Sequence, residues 1–154
     1  MLALVLVLPL GLAVATPVVA NGESEVSIKV KGEVIIDEDG VLDGTVCKAT
    51  LVADTVSNKF LYVMKFDKKI FIPDFLGSGE GQWVKGWYGE GDLVGLVPDG
   101  STVTLSIGEA QTYAIPSGDH WGDEDPAVVI GTITGNKVSF DLGVGVLTGK
   151  IKIK

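Results

Sequence analysis

Beyond residue 25, hydrophobic and polar residues alternate with a period of two along most of this chain. Val26, Ile28 and Val30 interleave with Ser27, Lys29 and Lys31, the pattern of a strand with one face buried. Val34-Ile35-Ile36 follows and stops at the turn Asp37-Glu38-Asp39-Gly40, and residues 44–53 form the next run. Phe60, Tyr62, Met64 and Phe66 oppose Leu61, Val63 and Lys65, which predicts a strand that is mostly apolar on both faces. Ile70-Phe71-Ile72 stops at Pro73-Asp74, and a glycine-rich stretch over 77–81 leads into Trp83-Val84 and then Trp87-Tyr88.

The second half is punctuated more clearly. Leu93 to Val97 ends at Pro98-Asp99-Gly100-Ser101, a strong turn signal. Val103, Leu105 and Ile107 alternate with Thr102, Thr104 and Ser106, and Gln111 to Ile115 precedes Pro116. Val128 to Ile133, a turn at Thr134-Gly135-Asn136, and Val138 to Leu142 predict a hairpin. The chain closes on Leu147, Ile151 and Ile153 set against Lys150 and Lys152. About ten short strands at regular spacing predict an all-β domain, a β-sandwich or jelly-roll, over residues 23–154. No linker or repeat divides it.

Residues 1–22 read differently. Leu2, Leu4, Leu6, Leu8, Leu10 and Leu12 occupy alternate positions, and no charge precedes Glu23. Three readings follow. Val18-Val19-Ala20 places small side chains before Asn21, as a secretory signal removed after Ala20 would, although no basic residue precedes Lys29. A retained segment would put the six leucines on one face only in an extended conformation, and so supply an assembly strand for a neighbouring subunit. A membrane anchor is the third, interrupted by Pro9, Gly11 and Pro17. Each sends the chain out of the cytoplasm, so the expected location is extracellular or at the cell surface.

Composition fits an exported β-protein. There are 21 glycines, and Cys47 is the single cysteine, so an intrachain disulfide is excluded and Cys47 reads as a buried, inert thiol in mid-strand. All 12 basic residues are lysine and the net charge is −8. The absence of arginine removes the usual two-pronged grip on phosphate, and nucleic acid is not an expected partner. Acids dominate between Lys85 and Lys137, whereas lysines gather at 59–69 and at the C-terminus. That polarity suits opposite-charge contacts between copies, or simply solubility.

Three constellations bear on chemistry. Asp37-Glu38-Asp39-Gly40 with Asp43 resembles a calcium loop in composition but fails the EF-hand spacing, so it reads as an acidic hairpin turn. The stretch Ser117 to Pro126 carries four carboxylates and the one histidine, His120, on a presumed inter-strand loop. Oxygen-rich clusters of this kind suit Ca²⁺, with Asp119, Asp123 and Asp125 as the ligands to expect if an ion binds; crowded surface acids need none. No serine or cysteine is placed beside His120 by a catalytic motif, so the chain does not read as an enzyme and requires no cofactor. Trp83, Trp87, Tyr88 and Trp121 offer flat rings for stacking on carbohydrate, Trp83 and Trp87 sharing a face of an extended strand, or else fill a core or an interface.

An apolar N-terminal segment ahead of a Gly- and Val-rich acidic β-domain resembles subunits of archaeal and bacterial surface filaments, whether pilin-like or donor-strand fibres of the TasA-like kind. The resemblance implies a homopolymer that contacts the membrane or cell envelope during export and assembles through Leu2 to Leu12. The rival expectation is a secreted β-sandwich that binds carbohydrate or calcium after signal removal.

Overall fold

The computed structural model describes residues 25–154; the leucine segment and its assembly role lie outside the described residues. The described chain is all-β. Its strands are β1 (Ser27–Ile35), β2 (Val46–Asp54), β3 (Lys59–Ile72), β4 (Gln82–Asp99), β5 (Thr102–Ile115), β6 (His120–Glu124), β7 (Ala127–Thr134), β8 (Lys137–Asp141) and β9 (Val146–Ile153). A single 3-10 turn, Phe75–Gly77, interrupts them.

The expected sandwich is not what forms. Every strand pairs antiparallel with its sequence neighbour from β1 to β5, β5 pairs with β7, and the meander returns through β8 and β9 to β1. The closing seam is a continuous ladder from Ile28↔Ile153 to Val34↔Leu147. One sheet therefore wraps into an up-and-down barrel of eight positions, β6 and β7 sharing one of them. Closure removes the edges that two facing sheets would leave.

Glycine makes that seam possible. Gly32 of β1 lies directly opposite Gly149 of β9. A Cβ on Gly32 would sit 2.1 Å from the Thr148 carbonyl oxygen, and one on Gly149 would sit 2.3 Å from that of Lys31. No side chain fits at either place.

The strands are fewer and longer than the pattern suggests. β4 runs for 18 residues and β3 and β5 for 14 each, because β-bulges bend them where glycines and acids look like turns. β3 carries extra residues between Lys65 and Ile70 against Gly86, and the β4–β5 register shifts between Gly91 and Gly95. Bulges reverse which side chains point inward. On β5, Val103 and Leu105 are buried before the shift, and Ala110, Thr112 and Ala114 after it.

The core lies inside the barrel. Val30, Val34, Cys47, Ala53, Val84, Val103 and Phe140 are fully buried, with Phe60, Met64 and Phe66 beside them. Cys47 is buried as expected, and burial pushes its thiol up to about 11. Thr112 is the one buried polar residue among the described residues, and its hydroxyl donates to the Gly122 carbonyl at 2.9 Å, so it is satisfied.

Candidate functional site: a barrel cavity and two charged faces

The barrel wall has one break. β5 pairs with β7 over Thr102–Ile107 and with β6 over Ala110–Tyr113. Asp125-Pro126 separates the two strands, and proline cannot donate to a ladder. β8 stops at Asp141 and pairs only with residues 131–134 of β7. β6 consequently has no second partner among the described strands, and a gap opens between it and the β8–β9 turn, Leu142 to Gly145.

Behind the gap lies a cavity of ≈ 410 Å³. Its wall is apolar: Leu51, Phe60, Met64 and Trp87 on one side, Leu105, Ile107, Val129, Leu142, Val144 and Leu147 on the other. Glu124, Asp125 and Ala127 of the break also line it. The main polar feature is the Tyr62 hydroxyl, which donates to Glu124 Oε2 at 2.5 Å. Burial and then this carboxylate push the phenol far above its ordinary range, while Trp87 acts in the opposite sense. An eight-stranded barrel is about wide enough to be filled by side chains or to hold one small ligand.

The aromatic residues singled out from sequence do not form one strip. A bulge at Gly86, whose φ is +150°, separates Trp83 from Trp87. Trp83 faces out, 58 % exposed, and packs on Phe71 with centroids 5.4 Å apart. Trp87 turns in and makes edge contacts with Phe66 and Trp121, and Trp121 meets the buried Phe75. These four rings cap one end of the barrel. Tyr88 stands outside, stacked on Tyr113 at 5.1 Å, with His120 against the edge of Tyr113. The expectation that Trp83 and Trp87 share a face is thus overturned by the bulge.

The acidic stretch is not a loop: His120 to Glu124 is β6, held by Gln111↔Asp123 and Ala110↔Glu124. Asp119 Oδ2 accepts from Gln82 Nε2 at 3.3 Å, Asp123 Oδ1 lies 3.0 Å from His120 Nε2, and Asp125 lies at the break. Among the described residues no three His, Cys, Asp or Glu side chains converge as a metal site would require. The acids instead line an open groove over β2 to β6, with Asp54, Glu90, Asp92, Glu109, Asp123, Glu124 and Asp125 around it. Lys59 is the single lysine there, bound to Asp92 at 2.6 Å. Both partners are exposed, so this pair adds little stability.

Folding also assembles what the sequence hides. On the far side of the barrel, register places Lys29 opposite Lys152, Lys31 opposite Lys150, Lys150 opposite Lys137 and Lys48 opposite Lys65. These residues alternate with buried Ile28, Val30, Cys47, Ala49 and Ile151, so their side chains point out. Glu33, opposite Lys48, is the one carboxylate within the patch, with Asp54, Asp67 and Asp141 at its rims. None of the seven lysines is in a salt bridge among the described residues. The Lys-x-Lys spacing at 29–31 and 150–152 was the available signal, but only strand order shows that the pairs meet.

No protein-family model matches the chain, and no curated protein or solved structure matches it either.

Proposed function

We propose that this chain is an exported, non-catalytic binding module whose barrel takes up one small, mainly apolar molecule. The carrying observation is the ≈ 410 Å³ apolar cavity open at the β6–β7 break, within the range of ligand pockets, about 300–1,000 Å³. Tyr62 and Glu124 supply a single polar handle near the mouth. Glu124 and Asp125 disfavour an anionic ligand such as a fatty acid, so the ligand is neutral or cationic at its polar end. Calcium and carbohydrate, the ligands expected from sequence, have less support, since the carboxylates do not converge and the tryptophans divide between core and surface.

The test is a titration with Nile red, a neutral apolar dye, followed by dye emission and by quenching of tryptophan emission. Saturable one-to-one binding that Ala127→Trp abolishes at the mouth supports the reading. Absence of saturable binding, or indifference to Ala127→Trp, refutes it.

A second reading, a filament subunit that inserts Leu2 to Leu12 into its neighbour, is favoured by one observation. The outer edge of β6 is unpaired beside an apolar cavity, where an added strand would continue the wall. N-terminal sequencing of protein recovered outside its cells decides between them: a start at Asn21 removes this reading, and a start at Met1 sustains it.

A further inference from the structure

We infer that the lysine face is a docking surface for the acidic groove of a second copy of this chain. The inference depends neither on the cavity's ligand nor on residues 1–24.

The lysine face is unfavourable as it stands. Strands in a sheet lie about 4.8 Å apart, and directly opposed side chains are neighbours, so like charges repel across each of the four Lys–Lys pairs. A chain of net charge −8 has acids to spare, yet only Glu33 stands within the patch. Interspersed charges are the usual arrangement for a merely solvated surface. This surface is segregated instead.

The complementary charge is on the same molecule. The groove over β2 to β6 has seven carboxylates and one lysine. The lysine face is centred on β9 and β1 and the groove on β4, on opposite sides of the barrel, with Asp54 bordering both. A molecule therefore cannot satisfy one face with the other. A second copy can: its groove brings carboxylates to Lys29, Lys31, Lys137, Lys150 and Lys152 and relieves their mutual repulsion. Lysine suits the role, because a flexible point charge adapts to several carboxylates without the fixed fork of arginine.

Such a contact joins unlike patches, so a bound pair leaves one patch of each kind free. Repetition gives a ring if the rotation closes and an open filament if it does not. The complementary surface is carried by this chain itself, so the partner is a second copy. An anionic polymer or membrane would also meet the lysines, but would leave the groove unused.

The experiment is sedimentation velocity on the exported protein in about 0.1 M and about 1 M NaCl, where the screening length falls from about 10 Å to about 3 Å. Oligomers at the lower salt that dissociate at the higher are expected. The double variants Lys31→Glu/Lys150→Glu and Glu90→Lys/Asp123→Lys should each be monomeric, with association weakened at least about tenfold. Mixing the lysine-face variant with wild type should restore pairs through the faces left intact. Circular dichroism matching wild type shows that the variants fold. A wild type that stays monomeric at the lower salt overturns the inference, as does association that either reversal leaves unchanged. Binding to anionic vesicles without self-association overturns the choice of partner.

Discussion

Ala49 lies on β2 with its methyl group at the wall of the barrel cavity, 5 % exposed. In a close-packed core, Ala49→Leu would force neighbouring side chains aside and cost about 1–3 kcal/mol. Here the added isopropyl group enters a void of ≈ 410 Å³ bounded by Leu51, Met64, Leu105 and Leu147. At about 0.8 kcal/mol per buried carbon it gains about 2.4 kcal/mol, from which about 0.5–1 is lost to side-chain ordering. The net gain is about 1.5 kcal/mol. For a domain of this size that raises Tm by about 5 °C. Scanning calorimetry reads the shift, and the same sample is titrated with Nile red. Stabilisation with weakened dye binding is the expected pair of results. A fall in Tm with dye binding unchanged would show that the space beside Ala49 is not there to be filled, and would take the ligand reading with it.

Gly32→Ala should destabilise the barrel by about 3 kcal/mol, the upper end for overpacking, because its Cβ meets the Thr148 carbonyl on the closing seam; urea unfolding that matches wild type would contradict the seam. Lys31→Thr should stabilise the single subunit by about 0.2–1 kcal/mol in low salt, by removing the opposition to Lys150, with the gain vanishing near 1 M NaCl. Urea midpoints at the two salt concentrations check it. Alkaline pH should weaken the fold. The thiol of Cys47 and the phenol of Tyr62 both lie above their ordinary values of 9.0 and 10.0. Their contributions are intact below those values. They decline as pH rises, for Cys47 between 9.0 and about 11 and for Tyr62 from 10.0 upward. Urea midpoints that hold level from about pH 8 to about pH 11 would be incompatible with that linkage.

Strand identity was legible where alternation was local. Ile28 and Val30 are buried and Lys29 and Lys31 exposed, as their period of two requires. The Gly100-Ser101 and Gly135-Asn136 turns fall where the glycines put them, joining Asp99↔Thr102 and Thr134↔Lys137. Length was not legible, because Gly86, Gly91 and Asp92 resemble turn punctuation and in fact mark bulges inside one strand. From sequence β6 reads as a loop, because its carboxylates outweigh its short pairing with Gln111 and Thr112. Closure was beyond reach: it rests on β1 meeting β9 across more than a hundred residues of chain, and no local signal separates a barrel from a sandwich. The cavity and the lysine face share that cause, since each is assembled from strands distant in sequence.

The break at Asp125-Pro126 ties these features together. Residues 122–134 run along β5 in one register interrupted only at residues 125–126, but β8 stops at Asp141 and leaves β6 uncovered. Proline removes one ladder donor at that interruption. The same step leaves Glu124 turned toward Tyr62 at the cavity mouth and Asp123 and Asp125 on the groove. The interruption and the early end of β8 together leave the apolar interior open with carboxylates around the opening, opposite a seam flanked by lysines. Binding inside the barrel and association outside it are then adjacent events. A ligand seated at Glu124 alters the charge at the edge of the groove that a second copy's lysine face would meet. A cationic ligand should weaken that contact and a neutral one should leave it unchanged, a contrast that sedimentation in the presence of each kind of ligand would read directly.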